Sequence, residues 1–77
     1  GKGSGKTFLF TGTLSMPRAR AAERIRKEGG TVATGISRKV DFLVAGADAG
    51  GKRTKAKELG IPILTEEEFL AMLGGKE

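Results

Sequence analysis

Thr11 and Gly12 directly follow the apolar run Phe8-Leu9-Phe10, and their types and placement are the first indication of a chemical role. In an extended strand Phe8 and Phe10 point to one face and Leu9 to the other, so both faces are apolar. This pattern is typical of a central parallel strand that is covered on both sides. Ligands of open α/β sheets collect outside the carboxyl ends of the strands. A hydroxyl group and a glycine amide at that edge can hold a phosphate oxygen, so the sequence predicts phosphate recognition without a catalytic residue.

The composition restricts the catalytic chemistry that this chain can perform. Its 77 residues include no His and no Cys, so the usual metal ligands, general bases and thiol nucleophiles are missing. Carboxylate-only sites and lysine chemistry stay open, but no spacing in the sequence indicates them. A chain of this length forms one domain, and no apolar run approaches the ~20 residues of a membrane span. Without Cys or a targeting signal, we expect a cytoplasmic, nucleoid-associated location.

Charge is distributed unevenly along the chain. Residues 1–57 carry a surplus of nine positive charges and residues 58–77 a deficit of four, which gives the net charge of +5. One interpretation is that the basic part only confers solubility, because basic faces are common on small domains. The other is a polyanion-binding face formed by the first three quarters of the chain, and the charge distribution favours it.

The first residues resemble a nucleotide-binding loop only superficially. Gly5-Lys6-Thr7 matches the end of the P-loop pattern, but a P-loop follows a strand and opens a helix, whereas this segment precedes a strand. Nucleotide hydrolysis is therefore not expected. Residues 1–4 are predicted to be a flexible linker or residues added for expression, which leaves residues 5–75 as the single domain.

Hydrophobic periodicity and helix-breaking residues predict the element order β-α-β-β-α-β-α. The strands are expected at 7–11, 31–34, 41–45 and 61–64, and the helices from a Ser15 cap to about residue 28, over 52–59, and after Thr65. The small residues of the second strand and Pro62 in the fourth indicate sheet edges. The link between the second and third strands is too short for a helical crossover. The residues alone leave open whether these two strands are neighbours.

The segment Thr65-Glu66-Glu67-Glu68 is the strongest local signal in the chain. It has the T-x-x-E pattern of a capping box, and its three acids lie at the positive end of the helix dipole. These glutamates are therefore interpreted as helix-start residues and not as a catalytic cluster. Phe69, Met72 and Leu73 are expected to pack inward, and Gly74-Gly75 to end the helix.

Six segments of this sequence carry a recognisable pattern: Gly5-Lys6-Thr7-Phe8, Thr11-Gly12-Thr13-Leu14, Gly29-Gly30-Thr31-Val32, Ser37 to Gly46, Lys55 to Ile61, and Glu67-Glu68-Phe69. In their order and spacing they are similar to those of the BRCT domain family. The resemblance covers residues 5–73 and is closest to the C-terminal BRCT domains of bacterial NAD-dependent DNA ligases, with relatives in the large subunit of the eukaryotic clamp loader. Many members carry a Trp in the last helix where this chain has Phe69, but the ligase and clamp-loader subgroup often lacks it.

The resemblance implies a fold and a set of site residues. The fold is an α/β, BRCT-like four-stranded parallel sheet of order 2-1-3-4 flanked by three helices, which puts the first strand between the second and third. The implied phosphate pocket combines the Thr11 hydroxyl, the Gly12 amide, a point charge from Lys52 and a forked contact from Arg18. Lys55 and Arg20 are second-rank contributors. An alternative stays open, in which Thr11 and Gly12 only close the strand and Lys52 is a solvated loop residue.

The resemblance also implies what the domain does. We expect a non-catalytic DNA-binding module of an NAD-dependent DNA ligase, which contacts phosphates at nicks or ends in replication and repair. The alternative is a protein-interaction module that binds a phosphorylated or acidic partner. No cofactor or metal is expected in this domain, and NAD and a divalent metal would belong to other domains of the parent ligase. The expected partners are DNA, including a 5′-phosphate, and those other domains; we expect a monomer and no membrane contact.

A second ligase-like phrase is interpreted as a coincidence. Lys39-Val40-Asp41 has the start of the K-x-D-G motif of nucleotidyl transfer, but Phe42 replaces the Gly. The phrase lies where the third strand is predicted to begin, and the adenylated lysine of a ligase would lie in another domain.

Overall fold

Four parallel strands in the order β2-β1-β3-β4 form the centre of the fold in the computed structural model, which describes residues 5–73. Both this order and the predicted edge positions of the second and fourth strands are confirmed. None of the helices within the described residues is long and apolar enough to cross a membrane. In chain order the elements are β1 (Thr7–Thr11), α1 (Arg18–Lys27), β2 (Thr31–Val32), β3 (Phe42–Ala45), α2 (Gly51–Leu59), β4 (Ile63–Thr65) and α3 (Glu66–Met72).

Strand β1 lies between β2 and β3, pairing Phe8 with Val32 on one side and with Phe42 on the other. Its two faces contact separate hydrophobic clusters, as the apolar pattern predicted. Phe8 and Phe10 pack with residues of α1 and α3, whereas Leu9 packs with Leu43, Ala56 and other residues on the α2 side. The strand that presents Thr11 and Gly12 is thus fixed from both faces.

Phe69 of α3 fills the centre of the first cluster and is only 1% exposed. Its ring meets those of Phe8 and Phe10 edge-on, with centroid separations of 5.7 and 5.4 Å. Edge-to-face pairs of this kind contribute about 0.5–1.5 kcal/mol each beyond the burial of their area. Phe69 therefore joins the last helix to the central strand.

The predicted capping box at the start of α3 is confirmed. The Glu68 amide donates to Thr65 Oγ1 at 3.0 Å, and the Thr65 amide donates to Glu68 Oε1 at 2.8 Å. These reciprocal bonds satisfy two amides that the first turn would otherwise leave unpaired. The helix ends at Met72, and the predicted stop at residues 74 and 75 lies outside the described residues.

The prediction that Ser15 caps α1 is wrong. The helix begins at Arg18 after Pro17, whose side chain makes no capping hydrogen bond. Proline suits the start of a helix because its φ is already fixed near the helical value. Ser15 instead donates its hydroxyl and its amide to the Glu66 carboxylate, so it connects the loop before α1 to the first turn of α3.

Candidate phosphate-binding site

Two loops meet at the carboxyl edge of the sheet, where the site was predicted. The first joins β1 to α1 and the second joins β3 to α2. The Thr13 amide donates to the Ala47 carbonyl at 2.8 Å, and the Ala47 amide donates back to Thr13 at 3.0 Å. The Gly46 amide also donates to the Thr11 carbonyl. These bonds hold together the two loops that lead into α1 and α2, so the starts of both helices have a fixed relation to β1.

Thr11 is buried at the end of β1, and its hydroxyl donates to the Ala49 carbonyl across 3.3 Å. That distance exceeds the roughly 2.5–3.0 Å of a good O–H···O hydrogen bond. In this conformation the hydroxyl connects β1 to the residues just before α2. To donate to a phosphate oxygen it would have to give up this weak bond and rotate.

Gly12 has a left-handed backbone, with φ of 78°. A Cβ atom at this position would lie 2.5 Å from the Ala47 carbonyl oxygen, so the loop pairing itself requires glycine. This contact supports the open alternative that Gly12 closes the strand. It is also compatible with anion binding, because within residues 5–73 the Gly12 amide has no hydrogen-bond acceptor.

Arg18 and Lys52 line one cavity of about 380 Å³, although they come from the first turns of different helices. Arg18 donates from Nη2 to the Gly12 carbonyl at 2.8 Å, which uses one of the five N–H donors of its guanidinium. Among residues 5–73 no carboxylate lines this space, which we call the Arg18–Lys52 cavity. Its remaining lining is mostly apolar: Leu9, Phe10, Ala19, Ala22, Val32, Ala33 and Thr34.

The structure does not bring the two second-rank residues into this cavity. Lys55 is exposed on α2 and is absent from the lining. Arg20 faces the other flank of α1, where it lines a second concavity together with Met16, Glu23, Arg24 and Lys27. Of the six predicted residues, Arg18 and Lys52 therefore share the cavity. Gly12 contacts Arg18 through its carbonyl, and neither Gly12 nor Thr11 is part of the cavity lining. The other two cations lie elsewhere.

Glu66 lies in the segment that the sequence analysis interpreted as a helix start, but the sequence did not reveal its contact with the loop before α1. Its carboxylate accepts from the Ser15 hydroxyl at 2.6 Å and from the Ser15 and Met16 amides at 3.0–3.2 Å. Donation from the Ser15 hydroxyl, followed by that from the Ser15 amide, lowers the pKa of Glu66. An internal anion therefore already occupies the two amides that precede Pro17, and a phosphate would have to bind nearer to Gly12 and Arg18.

Other solved structures share this architecture, a parallel α/β domain of the BRCT fold. The chain superposes with a TM-score of 0.83 and 23% identity on Rad4 BRCT1,2 in complex with a Crb2 phosphopeptide, covering 95% of this chain and 40% of that one. The complex of Rad4 BRCT1,2 with an Mdb1 phosphopeptide gives the same values. At this level of identity the likeness concerns the fold.

Sequence comparison then shows the family. The model of the BRCA1 C Terminus (BRCT) domain matches residues 3–73, so the chain belongs to the BRCT family. A BRCT domain is a non-catalytic module, as was predicted for this domain. The chain is 53% identical over 75 residues to a DNA ligase of Geotalea uraniireducens, covering 96% of this chain and 11% of the ligase.

A second relative gives the same result. The identity to a DNA ligase of Methylacidiphilum infernorum is 53% over 72 residues, covering 94% of this chain and 10% of the ligase. The chain spans about a tenth of the length of these curated relatives.

Proposed function

We propose that this BRCT domain is a DNA-binding module of an NAD-dependent DNA ligase, and that it contacts phosphates at nicks or ends during replication and repair. The observation that carries the proposal is the Arg18–Lys52 cavity. The first turns of two helices each contribute a cation to it, and no carboxylate from the described part of the chain lines it. A 5′-phosphate is compact and carries up to two negative charges, so it matches a site with two convergent cations. The cytoplasm, at the nucleoid, is the corresponding location.

The proposed contacts follow from the chemistry of each group. Arg18 can bind two phosphate oxygens through its remaining N–H donors, since a guanidinium is planar and forked. Lys52 contributes a compact charge to the same cavity. The Gly12 amide is an open donor beside Arg18, and the α1 dipole adds positive potential at the same place. The Thr11 hydroxyl joins only if it leaves Ala49.

The parent protein is proposed from the relatives. Its DNA-ligase relatives are about ten times longer than the matched part, so NAD and a divalent metal would be held by other domains. Within residues 5–73 no group of three or more acidic, His or Cys side chains could hold a metal ion. The domain would then bind substrate for a reaction carried out elsewhere in the protein.

A second candidate function uses the same cavity. The two Rad4 structures of this fold hold phosphopeptides, and a phosphorylated side chain presents the same terminal phosphate as a 5′ end. The apolar lining next to Arg18 and Lys52 would suit a peptide side chain beside the phosphate. This candidate predicts binding that depends on peptide sequence and falls less steeply with salt, because fewer phosphates are contacted.

The test is a titration of the 77-residue chain into nicked duplexes with and without a 5′-phosphate, at two salt concentrations, beside a phosphopeptide. We expect tight, salt-sensitive binding that prefers the 5′-phosphate and weakens in Lys52→Ala and Thr11→Ala. Lys57→Ala is the matched control, because Lys57 is another exposed lysine of α2. Unchanged binding in both site variants would remove the pocket assignment. Binding of the phosphopeptide alone would favour the second candidate.

A further inference from the structure

Helix α1 lies between two basic concavities. Arg18, Ala19 and Ala22 line the Arg18–Lys52 cavity on one flank. On the other flank lies a groove of about 410 Å³ that we call the α1 groove, lined by Met16, Arg20, Glu23, Arg24 and Lys27. At 100° per residue the two sets project in clearly different directions from the helix axis. The proposed terminal-phosphate site does not use the α1 groove.

We propose that the α1 groove binds internal phosphates of the DNA backbone, so that the domain holds duplex DNA along α1 in addition to its terminal phosphate. This inference rests on the proposed function, which it extends from a single phosphate to a stretch of backbone. The partner of the groove is therefore the phosphodiester chain beside the nick or end.

The charge of the groove fits a polyanion. Of the five lining residues that fall within residues 5–73, three are cationic and one, Glu23, is acidic. The whole of α1 carries five Arg and Lys residues and no acid in its first turn. Arg20 and Lys27 are exposed, and Met16 is partly buried against the hydrophobic core. The groove is thus a concave cationic surface with an apolar base and not an isolated charge on a convex face.

The spacing of the cations also matches a DNA strand. Positions 20, 24 and 27 repeat at i, i+4 and i+7, which keeps them on one side of the helix. Seven residues at 1.5 Å rise extend about 10 Å along the axis. One strand of B-DNA carries a phosphate about every 3.4 Å along its axis. A groove of this length can therefore contact neighbouring phosphates of one strand and not only a single phosphate.

Arg18 and Arg20 link the two surfaces. They are two residues apart at the start of α1, and they line the Arg18–Lys52 cavity and the α1 groove respectively. A strand that ends with its 5′-phosphate at Arg18 could cross the helix start and continue past Arg20. Contacts of this kind carry no base specificity, because phosphates are the same at every sequence.

The sharpest test removes the carboxylate from the α1 groove. Glu23→Gln keeps the size of the side chain and deletes one negative charge, so we expect a several-fold increase in affinity for duplex DNA with or without a 5′-phosphate. Glu58→Gln is the matched control, since it deletes the same charge from an exposed position of α2. Equal effects of the two changes, or no effect of Glu23→Gln, would overturn the inference.

The complementary test removes two of the cations. We expect the double variant Arg20→Ala, Lys27→Ala to bind duplex at least ten-fold more weakly and to reduce the slope of log K against log salt by about 0.9 for each lost contact. Its preference for a 5′-phosphate should persist, because Arg18 and Lys52 are intact. The control is Arg38→Ala, Lys39→Ala, in the loop before β3. An unchanged slope in the α1 double variant would overturn the inference.

Two further outcomes separate this inference from the proposed function. Failure of the wild-type chain to bind any duplex would overturn both. A 5′-phosphate preference that depends on Lys52, together with unchanged affinity in the groove variants, would overturn only the inference. If a glutamate-rich peptide bound the wild-type chain more tightly than duplex did and lost that binding in the α1 double variant, the groove would be a protein site and the inference would be wrong.

Discussion

Arg18 donates a hydrogen bond to the Gly12 carbonyl at 2.8 Å. This bond connects the first residue of α1, which lines the Arg18–Lys52 cavity, to the turn that leaves the central strand. The side chain is therefore partly ordered before any ligand arrives, which lowers the entropy lost on binding.

Replacing Arg18 tests whether this partly ordered side chain contributes to phosphate binding. We expect Arg18→Ala to weaken binding of 5′-phosphorylated nicked duplex by about 10- to 100-fold, since a hydrogen-bonded charge contributes about 1.5–3 kcal/mol. Arg18→Lys should recover only part of the loss, because it restores the charge but not the fork. Fluorescence anisotropy measures the affinities. Equal loss in the exposed control Arg38→Ala would show a general charge effect instead.

Gly12→Ala tests the packing role of the glycine. The added Cβ would meet the Ala47 carbonyl at 2.5 Å in a left-handed backbone, and the backbone alone costs about 1–2 kcal/mol. We expect the free energy of unfolding to fall by at least about 2 kcal/mol in urea denaturation. Gly35→Ala is the control, because nothing lies within 4 Å of its added Cβ, and its effect should stay within about 0.5 kcal/mol. Equal effects in the two variants would contradict the loop geometry.

Glu66 gives the domain a defined dependence on pH. The hydrogen bonds from Ser15 lower the pKa of this carboxyl in the folded state. The stability they contribute is fully present above the ordinary pKa of a glutamate and is lost as the pH falls through the lowered value. The melting temperature of wild type should therefore exceed that of Glu66→Gln near neutrality, and the difference should shrink in acid. A gap for Glu66→Gln that is constant with pH would contradict the assignment.

Phe69 should be the largest single contributor to the core among the α3 residues. Phe69→Ala removes two edge-to-face contacts at a site that is 1% exposed, and we expect a loss of about 3–5 kcal/mol. In a domain of marginal stability this leaves a large unfolded fraction, visible by circular dichroism. Phe42→Ala, a half-buried ring that stacks on Phe8, should cost less. A larger loss of stability in Phe42→Ala than in Phe69→Ala would show that α3 is not the main element covering β1.

Much of the fold could be predicted because it rests on local patterns. The alternation around Phe8, Leu9 and Phe10 gave the central strand, and the Thr65-to-Glu68 segment gave the start of α3. Each of these signals is contained within a few consecutive residues of the sequence. The strand order could not be obtained this way, since pairing of β1 with β3 depends on contacts between residues 34 positions apart; the family resemblance supplied it.

The site was harder to predict than the fold. Arg18 and Lys52 came from the resemblance, and their shared cavity depends on how two helices start on either side of one sheet. The hydrogen bonds between Ser15 and Glu66 join residues 51 positions apart. The local pattern of the capping box already explained why a glutamate stands at position 66, so it gave no reason to expect this distant contact. The Thr11 hydroxyl was expected to face a ligand, but its direction is set by Ala49 in another loop, which no local pattern reveals.

The central claim is that the Gly12 amide, Arg18 and Lys52 converge on one anion. The most direct test is to record amide and guanidinium resonances by NMR while the chain is titrated with matched duplexes that end in a 5′-phosphate or a 5′-hydroxyl. We predict that the Gly12 amide and the Arg18 guanidinium shift strongly and saturate only with the 5′-phosphate, while the Gly35 amide stays in place. Shifts that are the same with both ends, or that spare Gly12 and Arg18, would contradict the account.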